Sequence, residues 1–269
     1  MHFPKHLNLD TDFTSKVLNI LTQAGRIALR YHQDQSFEIT YKDDQSPVTN
    51  ADIQVSEFIV EQLKILTPDF FVVSEENETN DFTGDTFWLL DPIDGTKYYI
   101  QGQSGYTINL ALIHNHLPII GYMYHPSLGE IYYNDLDGKV KFYDVLRNLH
   151  TQCSQQDSND ALKVLIDFGQ LNLAKIEQEA SFTKIYPQNT RSKISMLLNN
   201  QVDVYYLYRN LMEWDTAAAH AILRAIGGSV MDMLGNELVY GKPLFYNPSI
   251  IFCSPRAMPH KQKILSNLA

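Results

Sequence analysis

Residues 88–97 (WLLDPIDGTK) constrain the fold most, because an apolar segment ends there in acidic residues. Residues 86–90 are typical of a strand covered on both faces. Asp91 and Asp94 follow, with a proline and a glycine shaping the turn. Two carboxylates at the end of a buried strand repel each other and lose hydration, so a divalent cation is the usual compensation. A surface turn with two unrelated acids is the alternative.

Composition limits the partners that such a site could serve. A chain of 269 residues forms one large domain or two small ones. The formal net charge of −10 argues against a nucleic-acid polymer or an anionic membrane as the main partner. A small phosphorylated molecule stays compatible, because a bound metal reverses the local potential. No apolar run reaches the roughly 18 residues of a membrane span, and Cys153 and Cys253 fit no metal spacing, so we expect a cytoplasmic protein.

The first half of the sequence predicts two helices and an antiparallel meander. Apolar residues at helical spacing predict amphipathic helices over residues 13–31 and 49–66. β-branched and aromatic residues predict strands at residues 70–73, 86–90, 106–113, 117–125, 130–134 and 140–143. We therefore expect residues 1–145 to form an α+β N-terminal half.

The second half alternates strands and helices. Polar residues 144–160 are typical of a boundary or linker. Strands are predicted at residues 164–167, 202–208, 228–232 and 250–253, and helices at residues 171–181, 191–200 and 215–226. We expect residues 146–269 to form a smaller α/β half.

Four acidic features lie at the ends of predicted elements. They are Glu75 with its neighbour Glu76, then Asp91, Asp94 and Asp215. Asp215 also suits the N-cap of an alanine-rich helix that two glycines end, so a structural role is the alternative. Asp52 has a similar alternative, since it completes a capping-box pattern with Thr49.

The type of ligand indicates which metal such acids would bind. The nine histidines show no HExxH motif, and His220 on the alanine-rich helix is expected to be a packed core residue. Carboxylates without a His or Cys set favour Mg²⁺ or Mn²⁺ over zinc. Oxygen-ligated Mg²⁺ most often acts on phosphate esters, which points to phosphoryl transfer to water.

Four segments resemble the motifs of the inositol monophosphatase superfamily of metal-dependent, lithium-sensitive phosphatases. They are SPVTNAD (46–52), VVSEE (72–76), WLLDPIDGTK (88–97) and WDTAAAHAILRAIGG (214–228). Their order and spacing fit, and the resemblance covers nearly the whole chain. Lys97 and the strand YTINLALI make the chain most similar to the 3'(2'),5'-bisphosphate nucleotidase branch, the CysQ type. The resemblance implies a layered αβαβα sandwich with its site in the cleft between the two halves.

The resemblance also implies two or three Mg²⁺ ions. Glu75, Asp91 and the main-chain carbonyl of Ile93 would hold the first ion. Asp91 would bridge to a second ion that Asp94 and Asp215 complete. Glu76 is a weaker candidate that would reach a third ion through water. Two cations about 3.5–4 Å apart would activate a water molecule and stabilise the leaving oxygen.

Three further residues would act on water and phosphate if the resemblance holds. Asp52 and Thr96 match the family pair that orients the attacking water. The backbone N–H groups of Gly95 and Thr96, at the start of a short helix, would receive phosphate oxygens. These roles imply hydrolysis of a phosphate monoester.

The substrate is the least determined feature. The branch implies hydrolysis of 3'-phosphoadenosine 5'-phosphate to AMP, but its nucleotide-binding segments are altered here, at residues 165–169 and 189–193. Lys193 keeps its register and Thr190 can replace a serine hydroxyl, while Arg191 and Arg209 are candidates for a second phosphate. Inositol 1-phosphate or another sugar phosphate is one alternative, and a non-catalytic phosphate-ligand sensor is another. The oligomeric state stays open, with a homodimer among the options.

Overall fold

The computed structural model describes residue 7 and residues 9–77, 84–153, 160–165, 182–185, 193–208 and 211–267. Its helices are α1 (Phe13–Asp34), α2 (Asn50–Leu66), α3 (Thr96–Ile100), α4 (Lys193–Leu198), α5 (Glu213–Ala225) and α6 (Lys261–Ser266). Single 3-10 turns occur at Pro243–Phe245 and Met258–His260. In the described part of the chain, no helix combines the length and apolar character that crossing a bilayer requires.

The strands of the first half are β1 (Ile39–Tyr41), β2 (Pro47–Thr49), β3 (Phe71–Ser74), β4 (Thr86–Asp94), β5 (Thr107–His114), β6 (Leu117–His125), β7 (Glu130–Asn134), β8 (Val140–Asp144) and β9 (Leu149–Gln152). The later strands are β10 (Leu162–Leu165), β11 (Phe182–Ile185), β12 (Val204–Leu207), β13 (Leu211–Met212), β14 (Ser229–Asp232), β15 (Tyr246–Asn247) and β16 (Ile250–Cys253). The helix predicted at 171–181 lies outside the described residues.

Strands β3 to β9 form one sheet in chain order. β3 runs parallel to β4, and every later neighbour pair is antiparallel, which confirms the predicted meander. β9 occupies part of the stretch predicted to be a linker, so that prediction was wrong for residues 149–152. All four residues of β9 are exposed, so the strand carries no buried apolar pattern that a sequence could reveal. The division at residue 145 stays a prediction.

The second sheet has five described strands in the order β11-β10-β12-β16-β14. β10 is parallel to both β11 and β12, whereas β16 is antiparallel to β12 and β14. The mixed sheet agrees with the α/β character predicted for the second half.

Side-chain alternation shows how the layers stack. In β4, Trp88 and Leu90 pack in a core with α1 and α2, while Phe87 and Leu89 pack on the opposite face with α5. In β16, Ile250 and Phe252 join that second core, and the alternate residues Ile251 and Cys253 pack against Ile264 of α6. The layers are therefore helices, sheet, helices, sheet, helix, which confirms the expected αβαβα sandwich.

The backbone of helix α5 lies directly against Gly121 of β6, where there is no side chain. A Cβ atom at this position would lie 2.2 Å from the carbonyl oxygen of Ala218 and 2.9 Å from its carbonyl carbon. Both atoms are backbone, so no side-chain movement could relieve the clash. Gly121 therefore fixes how closely α5, and the acid at its start, approaches the sheet.

We predict that Gly121→Ala destabilises the protein by about 1–3 kcal/mol, since α5 must shift away from β6. Chemical denaturation of the purified protein would measure this loss. Gly105→Ala is the control, because its Cβ would meet only ordinary contacts of 3.6 Å or more. Equal stability of Gly121→Ala and the parent protein would contradict the close-approach argument.

Candidate active site

A bulge at the end of β4 places Asp91 and Asp94 on the same face of the sheet. Asp91 pairs with Asn109 and Asp94 pairs with Thr107, so three residue steps on β4 span two on β5. Residues three apart in a regular strand point to opposite faces. The extra residue reverses that alternation, as a bulge does. Both aspartates therefore point to the face on which α5 packs.

Asp215 of α5 meets these two residues. One carboxylate oxygen from each of Asp91, Asp94 and Asp215 lies within 4.8 Å of the others. Asp91 is 1% exposed, so its charge lies almost entirely away from bulk water. Asp91 and Asp94 are neighbours in the sequence and Asp215 is far from both, yet the three acids form one cluster between the first sheet and α5.

The structure corrects the role expected for Asp215 within its helix. α5 begins at Glu213 with Met212 as the N-cap, so Asp215 is the third helical residue and not the cap. Its Oδ2 accepts a hydrogen bond from the Met212 backbone N–H at 2.9 Å. This bond orients the carboxylate at a helix N-terminus, where negative charge is stabilised.

Glu75 follows β3 and lies beside Asp91, because β3 and β4 are adjacent parallel strands. The Glu75 N–H donates to the carbonyl of Leu90 at 3.0 Å. Its Oε1 accepts from Lys42 Nζ at 2.8 Å, and Glu76 Oε1 accepts from the same nitrogen at 3.0 Å. Lys42 thus neutralises part of the charge on the two glutamates.

Asp52 and Thr96, the pair expected to orient the attacking water, lie in contact. Thr96 Oγ1 is 3.3 Å from Asp52 Oδ1 and 3.1 Å from the carbonyl oxygen of Ile93. Asp52 Oδ2 accepts from the N–H and the hydroxyl of Thr49, at 2.8 and 2.5 Å. The capping box predicted at the start of α2 is therefore present, and one oxygen of its acid faces Thr96.

Gly95 and Thr96 form the start of α3. Gly95 is the N-cap with φ of 88°, a conformation that side chains rarely adopt. The first turns of α2 and α5 lie at the same place, because they carry Asp52 and Asp215. The N-termini of α2 and α5 each donate a backbone N–H to one of the acids, Asp52 and Asp215, and α3 begins beside Asp52.

Burial and mutual repulsion raise the pKa of several of these acids. Burial raises the pKa of Asp91 well above its usual range, and the charges of Glu75, Asp94 and Asp215 add to the effect. Burial raises the pKa of Asp52 to about 6, although its bonds from Thr49 act in the opposite direction. Burial also raises the pKa of Glu76 to about 7, against the effect of Lys42.

The residues present fit a divalent cation. Asp91 Oδ1 and Asn109 Oδ1 are buried oxygens without a hydrogen-bond partner in the described residues. Buried oxygens of this kind need a donor or a cation. The set consists of carboxylate and amide oxygens, which suits hard cations such as Mg²⁺ or Mn²⁺. Glu75, Asp91, Asp94, Asp215 and the carbonyl of Ile93 are the residues that would hold them.

The residues expected to bind the rest of the substrate stay predictions. Lys193 begins α4, and its Nζ lies 5.4 Å from the ring centroid of Tyr205. Thr190, Arg191 and Arg209 lie outside the described residues. His220 is a fully buried core residue, as expected, and burial lowers its pKa.

The sequence reasoning missed several polar residues that contact the acids. Lys42 directly follows β1, and no local pattern indicates its pairing with Glu75. Thr107 and Asn109 both donate to Asp94 Oδ2, at 3.3 and 3.2 Å. Their signal is visible in retrospect, since polar residues at alternate positions of an apolar strand share one face.

Glu213 is a further missed residue, and it supports the start of α5. Its fully buried carboxylate accepts from the N–H groups of Gly241 and Lys242 at 2.6 and 3.0 Å. Lys242 Nζ completes the contact at 2.6 Å and also donates to Asn247 at 2.8 Å. This network ties residues 241–247 to the helix turn that carries Asp215.

The fold and site define a metal-dependent phosphatase of the inositol monophosphatase type. The sequence pattern of the inositol monophosphatase family matches residues 10–266. The chain therefore belongs to this family and is a phosphatase.

Similar proteins include 3'(2'),5'-bisphosphate nucleotidases CysQ. The protein from Aggregatibacter actinomycetemcomitans is 29% identical over 272 residues, which cover 96% of this chain and 99% of that relative. The protein from Salmonella typhimurium is 32% identical over 240 residues, covering 87% and 96%. A crystal structure of CysQ from Bacteroides thetaiotaomicron is 26% identical with a TM-score of 0.71, covering 90% of this chain and 97% of that one.

The raised pKa values give the pH dependence a definite sign. A carboxyl group with a raised folded-state pKa stabilises the fold below its unfolded-state pKa, and this contribution is lost as the pH rises through the folded value. For Asp52 the window runs from about 4 to about 6. Buried histidines act in the opposite direction, since burial lowers the pKa of His125 to about 4. The increase in stability on cation binding reports on the acids alone, because the buried histidines contribute equally with and without the cation.

We predict that Mg²⁺ raises the melting temperature more at about pH 8 than at about pH 5, because protons compete with the cation for the same carboxylates. Thermal unfolding with Mg²⁺ or with a chelator, at both pH values, measures the two increments. An increment that is equal at both pH values would contradict binding at these acids.

Proposed function

We propose that this phosphatase uses Mg²⁺ to remove the 3'-phosphate of 3'-phosphoadenosine 5'-phosphate, which yields AMP and phosphate. The similarity to 3'(2'),5'-bisphosphate nucleotidases over most of both chains carries the choice of substrate. The arrangement of Asp91, Asp94 and Asp215 beside the Asp52–Thr96 pair supports the chemistry.

In this proposal Thr96 and Asp52 handle the proton of the attacking water. Thr96 has one hydroxyl proton, which it donates to Asp52 Oδ1, so an oxygen lone pair is available to accept from water. As the water attacks phosphorus, its proton moves to Thr96 Oγ1 and the Thr96 proton moves to Asp52. A pKa of about 6 suits Asp52 to accept a proton near neutral pH.

The remaining groups neutralise charge and position the phosphate. Backbone N–H groups at Gly95 and Thr96 would bind the phosphate oxygens. The bound Mg²⁺ ions would supply charge stabilisation for the attacking and leaving oxygens. Glu75, Asp91, Asp94, Asp215 and the Ile93 carbonyl would hold them. Each acid is fixed at the end or in the first turn of an element, which favours a preorganised site.

Inositol 1-phosphate or another sugar phosphate remains the alternative substrate, because the matching family is described as the inositol monophosphatase family. The altered segments at residues 165–169 and 189–193 are the observation that favours it. A non-catalytic sensor would not need the Asp52–Thr96 contact.

We predict that the purified protein releases phosphate from 3'-phosphoadenosine 5'-phosphate faster than from inositol 1-phosphate when Mg²⁺ is present. The expected difference in kcat/KM is at least about tenfold, since two phosphates offer more binding contacts than one. Parallel assays with Li⁺ test the expected inhibition. Preference for the inositol ester would contradict the nucleotide assignment, and turnover of neither substrate would contradict the proposed reaction.

We predict that Asp91→Asn lowers kcat at least about 100-fold, because it removes the central charge of the cluster. The substitution is nearly isosteric and relieves repulsion. The metal-free variant should therefore melt at the same or a higher temperature than the metal-free parent protein at neutral pH. Phosphate release and thermal unfolding measure the two effects. Retained activity would contradict the role of Asp91.

A further inference from the structure

Strand β5 places two polar side chains against the acid cluster. Thr107 and Asn109 are the polar residues in the buried stretch 107–113 of β5, and both lie opposite the acids of β4. Asn109 is directly opposite Asp91, and side chains at directly opposite positions lie about 4.5–5.5 Å apart. Neither residue belongs to the set that the resemblance implied.

The amide of Asn109 has a defined orientation. Its Nδ2 lies 3.2 Å from Asp94 Oδ2. An ionised carboxylate only accepts hydrogen bonds, so the nitrogen and not the oxygen of the amide must face Asp94. Asn109 Oδ1 therefore points elsewhere in the same buried space.

That oxygen has no hydrogen-bond partner in the described residues, and Asn109 is 3% exposed. A buried carbonyl oxygen without a donor is costly. Asp91 Oδ1, on the neighbouring strand, is also buried without a hydrogen-bond partner in the described residues. Two unpartnered oxygens at directly opposite positions suit a cation and its water shell.

We propose that Asn109 is a positioning residue for the cation at Asp91 and Asp94. Its Nδ2 holds Asp94, and its Oδ1 accepts a hydrogen bond from the hydration shell of the cation. The inference rests on the proposed function, because it requires that these acids bind divalent cations.

The chemistry explains why an amide stands at this position. A carboxylate at residue 109 would add charge beside Asp91, which already faces Glu75, Asp94 and Asp215. It could not donate to Asp94 either. An amide supplies one donor and one oxygen without adding charge.

Mn²⁺ binding tests the inference independently of turnover. Electron paramagnetic resonance measures free Mn²⁺ during titration of the parent protein, Asn109→Leu and Thr107→Val. Asn109→Leu removes both polar atoms of the amide at similar volume. Thr107→Val is the matched control, because it removes only the other donor to the same Asp94 oxygen, which lies 3.3 Å away. Circular dichroism checks that each variant is folded.

We expect Asn109→Leu to raise the Kd for Mn²⁺ by about 10–100-fold, as loss of a partner of metal ligands typically does. Thr107→Val should raise it by less than about threefold, since the amide still holds Asp94. If Asn109→Leu does not fold, Asn109→Ala is titrated against the same expectation.

Three outcomes would overturn the inference. Unchanged Mn²⁺ affinity in the Asn109 variants, with only a lower melting temperature, would make Asn109 a structural residue. An equal loss of Mn²⁺ affinity in the Asn109 and Thr107 variants would show that Asn109 acts only by donating to Asp94, with no role for its Oδ1. Absence of Mn²⁺ binding in the parent protein would overturn the proposed function as well, which distinguishes the two failures.

Discussion

Repulsion between the buried carboxylate of Asp91 and the half-buried acids around it is the interaction on which the rest of the structure depends. The bulge in β4 creates it, since it turns Asp91 and Asp94 to one face of the sheet. Concentrated negative charge of this kind is unfavourable without cations, hydrogen-bond donors or protons. Lys42, the donors on β5 and the N-termini of α2 and α5 each offset part of it. Burial, with a further contribution from the charges of Glu75, Asp94 and Asp215, raises the pKa of Asp91.

The second half of the chain serves the same cluster. Gly121 lets α5 approach the first sheet closely enough for Asp215 to meet the acids of β4. Glu213 then fixes the first turn of α5 through Gly241 and Lys242. Asp52 and Asp215 occupy the same third position of their helices, and each accepts from the backbone N–H of its N-cap. A capping carboxylate thus orients a side chain at the site as well as stabilising its helix.

Local patterns predicted the parts of this site that depend on local structure. Asp91 was predictable because it follows an apolar strand, and Asp52 because it forms a capping box with Thr49. The position of Asp91 and Asp94 on the same face could not be predicted, because their spacing in a regular strand would place them on opposite faces. The bulge that brings them together depends on pairing with β5. Asp215 was predicted as the N-cap but is the third helical residue, because the buried contacts that hold Glu213 in the first turn come from Gly241 and Lys242, far along the chain. The contacts of Lys42 and Asn109 could not be predicted for the same reason, because their partners Glu75 and Asp94 lie on other elements.

The proposed cation site depends on the bulge in β4, which brings Asp91 and Asp94 to the face where Asp215 lies. Crystals grown with Mn²⁺ test it directly, because anomalous scattering locates the metal without reference to activity. We expect anomalous peaks in contact with Asp91, with Asp94 and Asp215 on one side and Glu75 on the other. Mn²⁺ bound only elsewhere on the protein, without contact to these carboxylates, would contradict a cation site at the bulge.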